Sequence, residues 1–105
     1  MNVVTLLGLI TETPQAKPIN DTSVINFTLA VHRKYKSSGD ADADFIRCTA
    51  WGKTAEMIEK YFNKGDMICV IGEIRNNKYV DKYGEVKYSV SVNVNEMYFT
   101  GSSIK

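Results

Sequence analysis

Residues that mark specialised chemistry are scarce in this chain of 105 residues. It has two cysteines and one histidine, and Cys48, Cys69 and His32 are too few for the four-ligand shell of a structural zinc ion. Both cysteines lie in apolar segments, which predicts buried, reduced thiols. We therefore expect neither a metal site nor a disulfide.

Long apolar runs and targeting signals are also missing. No run approaches the roughly 18 residues of a membrane helix, and the start, MNVVTLLGLI, lacks the basic flank and the cleavage site of a signal peptide. The net charge is only +1, which gives no overall attraction to a polyanion. We expect a cytoplasmic protein with no membrane partner, in which a local patch binds any anionic ligand.

The motifs of the common enzyme classes do not occur either. The chain has no P-loop, G-x-S-x-G or H-E-x-x-H pattern, and His32 has no serine or cysteine at a motif spacing. The acidic run Asp40, Asp42 and Asp44 lacks a glutamate or glycine placed as in a calcium loop, so it predicts a solvated loop. No catalytic residue and no cofactor is expected.

Periodicity indicates five strands and one helix. Helical spacing brings Ala55, Ile58 and Phe62 to one face, with Thr54 as N-cap and a stop at Gly65. The turn-rich stretch 11–21 predicts a surface loop, and Gly8 suggests a bulge in the first strand. The strands are expected at 2–10, 24–36, 44–53, 67–79 and 86–94, the last with its alternating valines half-buried.

This order predicts an all-β fold, a five-stranded OB-fold Greek-key barrel with one short helix between strands 3 and 4. SH3-like barrels and half-sandwiches share the strand count, so the pattern alone leaves them open. The segment DKYG at 81–84 is expected to form the turn between the last two strands.

Large aromatic residues stand beside cations on the outer faces of three segments. Alternation in DFIRCTAWGK puts Phe45, Arg47 and Trp51 on the face opposite the small apolar Cys48 and Ala50. The same pairing occurs twice more, in Tyr79 with Arg75 and in Tyr35 with Lys34 and Lys36, and Arg33, Lys53 and Lys78 add charge. Unpaired nucleic acid is bound by such sets, because bases stack on rings while cations follow the backbone.

Two plainer interpretations compete with nucleic-acid binding at this point. A single outward aromatic usually packs across to a neighbouring strand or loop, which is the commoner role for a residue such as Trp51. Exposed Trp, Tyr and Arg also mark contacts between subunits. The threefold coincidence of ring and cation favours nucleic acid over both.

The order of these segments resembles the bacterial-type single-stranded DNA-binding proteins over the whole length to about Phe99. The resemblance is carried by MNVVTLLGLITETPQ, FTLAVHRKYK, DFIRCTAWGKTAEMIEKYFNKGDMICVIGEI and KYVDKYGEVKYSVSVNV. The AWGKTAE junction, the KGD before the fourth strand and the DKYG turn are its most specific parts. The resemblance implies an OB-fold DNA-binding domain over 1–100, a short extension over 101–105, and a non-enzymatic homotetramer that binds single-stranded DNA without sequence preference in replication, recombination or repair.

The same resemblance implies roles for individual residues. Base stacking falls on Tyr35, Phe45, Trp51 and Tyr79. Backbone contacts fall on Lys53, Lys64 and Lys78, with Arg47 and Arg75 nearby. The basic end of the second strand adds Arg33, Lys34 and Lys36 to the expected backbone contacts by its own pattern. Many relatives carry tryptophan at three of these four stacking positions, which predicts weaker binding per site here.

Two departures from the family pattern bear on assembly and partners. Some relatives carry a histidine involved in assembly where this chain has Ile46, so a dimer stays open beside the tetramer. Replicative members continue into an acidic tail that recruits replication and repair enzymes, whereas this sequence ends at GSSIK. The expectation is a tailless form, either cut at the domain boundary or natural, as in competence, plasmid or phage paralogues.

Three alternative functions stay open. The first is a dimeric scaffold resembling primosomal replication protein N, with weak DNA binding. The second is a small OB-fold nuclease that uses the run from Asp40 to Asp44. RNA binding is the third, because stacking tolerates either sugar.

Overall fold

The computed structural model describes residues 1–34 and 42–100. In these ranges the chain forms six strands and one helix. They are β1 (Val4–Ile10), β2 (Ala16–Ile19), β3 (Thr22–His32), β4 (Ala43–Trp51), α1 (Gly52–Tyr61), β5 (Met67–Val80) and β6 (Val86–Phe99).

Five of the strands close into the predicted barrel. The sheet order β1-β5-β6-β4-β3-β2 is joined into a ring by a second pairing of β1 with β3, where Leu9 faces Ala30 and Ile10 faces Leu29. All pairings are antiparallel except that of β4 with β6, whose register joins only Cys48 to Val92 and Thr49 to Asn93. This closure confirms the OB-type topology, with the helix between the third and fourth barrel strands.

The loop expected over 11–21 contains an extra edge strand. β2 pairs with β3 from Ala16 opposite Ile25 to Ile19 opposite Thr22, so the two form a tight hairpin. Its two central residues, Asn20 and Asp21, have φ of 47° and 67°, the left-handed conformation that a two-residue hairpin turn requires. Proline argued against a strand here, but an outermost strand tolerates it.

The helix packs against the barrel through the face that its periodicity predicted. Ala55, Ile58 and Phe62 are fully buried and join the barrel core. The predicted N-cap at Thr54 is wrong, because α1 begins two residues earlier and its cap position, Trp51, makes no side-chain capping bond. The backbone turns from β4 into α1 at Gly52. Its φ of 62° is one that most other residues adopt only with strain.

The long ends of β5 and β6 leave the barrel as a two-stranded arm, defined here as residues 74–80 and 86–91. The strands stay paired to Val80 opposite Val86, but β1 pairs with β5 only as far as Gly72. The predicted turn follows, with Asp81 Oδ1 accepting hydrogen bonds from the amides of Tyr83 and Glu85 at 2.9 and 3.0 Å.

The arm overturns part of the predicted alternation in the last strand. Val92 and Val94 lie in the core, with 3% and 4% of their surface exposed, whereas Val90 is 62% exposed. The cause is topological, since none of the described strands or the helix covers this side of the arm once β5 and β6 leave the barrel.

Two smaller features of the first strand and the helix complete the fold. Gly8 lies in unbroken register with Ile68, so it marks no bulge. A Cβ there would instead lie 2.8 Å from the carbonyl oxygen of Ala30, so close strand packing requires glycine. In the described part of the chain, the only helix has ten residues, half of what a membrane span requires.

Candidate nucleic-acid interface

The outer face of β4 carries the residues that alternation assigned to it. Phe45 is 68% exposed and Trp51 is 47% exposed, with Arg47 between them, while Cys48 and Ala50 point into the core. β4 stays paired with β3 from Ala43 to Trp51, so this outer face extends along the whole strand. The predicted division into a core face and an outward aromatic face is confirmed.

The arm lies across from this outer face of β4 and also carries predicted contact residues. Its register sets Arg75 opposite Ser91, Asn77 opposite Ser89 and Tyr79 opposite Lys87, and residues opposite one another share a face of the ladder. Tyr79 is 50% exposed on this face. β4 pairs with β6 only at Val92 and Asn93, beside the core. The arm therefore diverges from β4, and the space between them opens into a groove.

Three adjoining cavities make up this groove, called here the β4–arm groove. At one end, a cavity of about 550 Å³ is lined by Trp51, Thr49 and Arg75. At the other end, a cavity of about 640 Å³ is lined by Phe45, Tyr79 and Arg47. A central cavity of about 430 Å³ shares lining residues with both. Three of the predicted stacking rings therefore border one continuous depression.

The centre of the groove is polar. The Thr49 hydroxyl donates a 2.8 Å hydrogen bond to Asn26 Oδ1 across β3 and β4. On the arm, Asn77 Nδ2 donates to Ser91 Oγ at 3.0 Å. No sequence motif marks these groups as functional, although the polar half of the alternation in the last strand identifies the face on which Ser89 and Ser91 lie.

The cations near the groove differ in how far they are already paired. Arg47 forms no ion pair with any described carboxylate. Arg75 Nη2 lies 3.4 Å from Glu73 Oε1 in an ion pair. Nε and Nη2 of Arg33 both donate hydrogen bonds to Asp44 Oδ1, at 3.1 and 2.8 Å. Hydrogen bonding to Asp44 and the attraction of its carboxylate raise the pKa of Arg33. Of the two arginines that line the groove, Arg47 is thus the one that needs to break no ion pair before meeting a phosphate.

Three predicted backbone contacts lie away from the groove lining. Lys53 borders a separate hollow on α1 with Met57 and Tyr61. The backbone amide of Lys64 donates to Thr13 Oγ1 at 3.1 Å, beyond the helix. Lys78 alternates with Tyr79 and so belongs to the other face of the arm.

The remaining predicted residues cluster at the end of β3. Lys34 is exposed just past the strand, while Tyr35 and Lys36 lie outside the described residues. Asp40 lies outside them too, and its neighbour Asp44 is engaged by Arg33. Within the described ranges, no three His, Cys, Asp or Glu side chains come together as a metal site would require.

The two cysteines differ in burial. Cys48 lies beneath the groove floor, where desolvation raises the pKa of its thiol to about 12, so it is protonated at neutral pH. Cys69 is only half-buried, on the outer side of the barrel. The prediction of two buried thiols is therefore correct for Cys48 alone, and both are free.

Known proteins match this chain over nearly all of its length. Single-stranded DNA-binding protein 3 of Clostridium acetobutylicum is 40% identical over 94% of the chain and 70% of its own length. Protein 1 of the same organism is 39% identical over 94% of the chain and 93% of its own length. The single-stranded DNA-binding protein of Clostridium perfringens is 39% identical, over 97% and 67% respectively. The sequence model of the single-strand binding protein family matches residues 1–100, and the chain belongs to that family.

Proposed function

We propose that this chain binds single-stranded DNA without sequence preference and protects it during replication, recombination or repair. The observation that carries the proposal is the β4–arm groove, with Trp51 at one end, Phe45 and Tyr79 at the other, and Arg47 between them. Its relatives are named for the same ligand. Members of the family bind DNA and are not enzymes, which disfavours the nuclease alternative.

The groove suits unpaired bases for geometric reasons. Phe45 and Trp51 are six residues apart on one strand, about 20 Å, so they contact different bases. A base can lie flat on a ring only where it has left the duplex stack, which selects single strands. Every base offers such a face, and stacking therefore does not discriminate between sequences.

Phosphate contacts complete the proposed binding surface. Arg47 and Arg75 border the groove and would meet the backbone there, whereas Lys53, Lys64 and Lys78 would extend its path outside. Arg33 would contribute less than Arg47, because Asp44 already pairs with it. We retain Tyr35 as a stacking contact implied by the family resemblance, and Lys34 and Lys36 as the cations that flank it in the sequence.

We also propose that the chain assembles as a homotetramer. Leu7, Leu9 and Tyr98 are about half exposed on the outer face of β1, β5 and β6, where burial against a second copy would be favourable. In the described residues, β1 pairs with β3 only at Leu9 and Ile10. The rest of that β1 edge is open to another strand.

Light scattering tests the assembly directly. A tetramer of 11.8 kDa chains has a mass of about 47 kDa, and Leu7→Glu should lower it. A dimeric mass with weak DNA binding would favour the scaffold alternative instead. We assign the binding domain to residues 1–100 and the extension to 101–105, and we propose a cytoplasmic location, where bacterial DNA lies.

A titration of the protein with a fluorescein-labelled dT oligomer at two salt concentrations tests the function. Intrinsic fluorescence excited at a wavelength that tyrosine does not absorb reports on Trp51 alone, because it is the only tryptophan. Saturable quenching that weakens as salt rises is expected, since phosphate neutralisation releases counterions. Equal affinity at low and high salt, or no binding by either signal, would refute the proposal. Tighter binding to an rU oligomer would identify RNA as the ligand instead.

A further inference from the structure

The lining at the centre of the β4–arm groove is mostly polar, and the one aromatic residue among the described residues that line it, Phe27, is only 6% exposed. Two amide–hydroxyl pairs border this centre, Asn26 with Thr49 and Asn77 with Ser91. Each pair bridges two strands, β3 to β4 in the first case and β5 to β6 in the second. A base held between the terminal rings would therefore present its polar edge to amides and hydroxyls.

Each amide keeps one polar end available. A side-chain amide has an oxygen that accepts and an NH2 group that donates, and the bonds above use only one of them in Asn26 and in Asn77. Within residues 1–34 and 42–100, no other hydrogen bond engages either side chain. Asn26 and Asn77 both line the central cavity.

The hydroxyl partners allow these free ends to change polarity. A hydroxyl both donates and accepts, so an amide that turns by 180° keeps its bond to Thr49 or Ser91 with the direction reversed. The terminal torsion of Asn is broad and roughly two-fold, which permits the turn. The free end can then offer either a donor or an acceptor at similar energy.

We infer that Asn77 with Ser91, supported by Asn26 with Thr49, forms a subsite that hydrogen-bonds the edge of any nucleobase by matching its polarity. The subsite rests on the proposed function, because it serves the DNA bound in the groove. Cytosine presents a donor where thymine presents an acceptor. A group of fixed polarity would favour one of these bases, whereas an amide held by a hydroxyl accepts both.

The position of the subsite along β4 supports simultaneous stacking and edge contacts. Thr49 lies two residues from Trp51 and two from Arg47, about 7 Å in each direction. A strand that stacks on Trp51 and reaches Arg47 with a phosphate passes directly over Thr49. Hydrogen bonding there adds affinity without adding sequence preference.

Fluorescence anisotropy with two 12-mers tests the subsite. One is dT12, and the other carries 2,4-difluorotoluene at every position, which keeps the shape of thymine without its strong hydrogen-bonding groups. We expect Asn77→Leu to lower the preference of the protein for dT12 over the analogue about fivefold, the worth of one neutral hydrogen bond. Asn95→Leu, which changes an exposed amide outside the groove lining, should leave the preference unchanged.

The outcomes separate this subsite from a structural role and from failure of the proposed function. Equal weakening of both oligomers by Asn77→Leu, or no weakening, would overturn the subsite. A loss for dT12 that dC12 does not share would overturn its change of polarity. Wild-type protein that binds neither oligomer would refute the proposed function itself, and the subsite with it. Circular dichroism verifies that the variants fold, and Thr49→Val, which keeps the side-chain shape, provides a second variant that should also lower the preference.

Discussion

Replacing Trp51 with alanine perturbs the binding surface at a residue that also packs against the barrel. The ring is 47% exposed, so about half of its surface is available to a base. Stacking of a base on an aromatic ring contributes about 1 to 3 kcal/mol by alanine substitution. We therefore expect Trp51→Ala to raise the Kd for a dT oligomer about 5- to 150-fold.

The buried half of the ring sets the accompanying cost in stability. Large aromatic side chains bury about 150 to 250 Å², and half of that is roughly 100 Å². At about 25 cal/mol per Å², the loss of unfolding free energy is at most about 2.5 kcal/mol. A domain of ordinary stability tolerates such a loss, so the variant should stay folded at 25 °C.

Binding is best followed by anisotropy of a labelled oligomer, because the variant has no tryptophan to quench. Trp51→Phe keeps a stacking face and should recover most of the affinity. Tyr88→Ala provides the control, since Tyr88 is an exposed aromatic residue that does not border the groove. Wild-type affinity in folded Trp51→Ala would show that no base stacks on this ring, and global unfolding would show that the ring belongs to the core.

Three further predictions concern charge, burial and pH. Arg47→Ala should lower the slope of log K against log salt concentration by about 0.7, whereas Arg33→Ala should lower it less because Asp44 pairs with Arg33; equal slopes would contradict this difference. Urea titration should find Val92→Asp destabilised by several kcal/mol, because Val92 is 3% exposed and a buried charge lacks a partner there. Val90→Asp should stay within about 0.5 kcal/mol of wild type, and similar losses in both variants would refute the account of the arm. Burial raises the pKa of the Cys48 thiol from 9.0 to about 12, so the unfolded chain loses this proton first and the thiol's contribution to stability is lost as pH rises from about 9 to 12, at about 1.4 kcal/mol per unit. Cys48→Ala should show a shallower decline over this range, and an unchanged decline would assign it to other groups.

Alternation and helical spacing were sufficient to predict most of the local structure. The outward face of β4 with Phe45 and Trp51, and the buried face of α1 with Ile58 and Phe62, follow from the periods 2 and 3.6 of the backbone. The strand order and the family motifs then predicted the barrel. The start of the helix was predicted less well. A side-chain cap was expected at Thr54, whereas the backbone enters the helix at Gly52 through a positive φ and without a side-chain cap.

Pairing between distant segments decided what local patterns left open. Whether Val90 is buried depends on a covering layer, and β1 and β4 pair with β5 and β6 only in the barrel, not in the arm that contains Val90. The same divergence creates the groove that brings Tyr79 to the cavity bordered by Phe45.

Residue order alone predicts which side of each strand and of the helix is apolar, because apolar residues recur with the periods of the local backbone geometry. Which of those sides is covered, and which polar groups meet, depends on the tertiary structure. Burial, the pairing of Arg33 with Asp44 and the polar centre of the groove all depend on strand register. Register joins residues far apart in the chain, and no single segment carries that information.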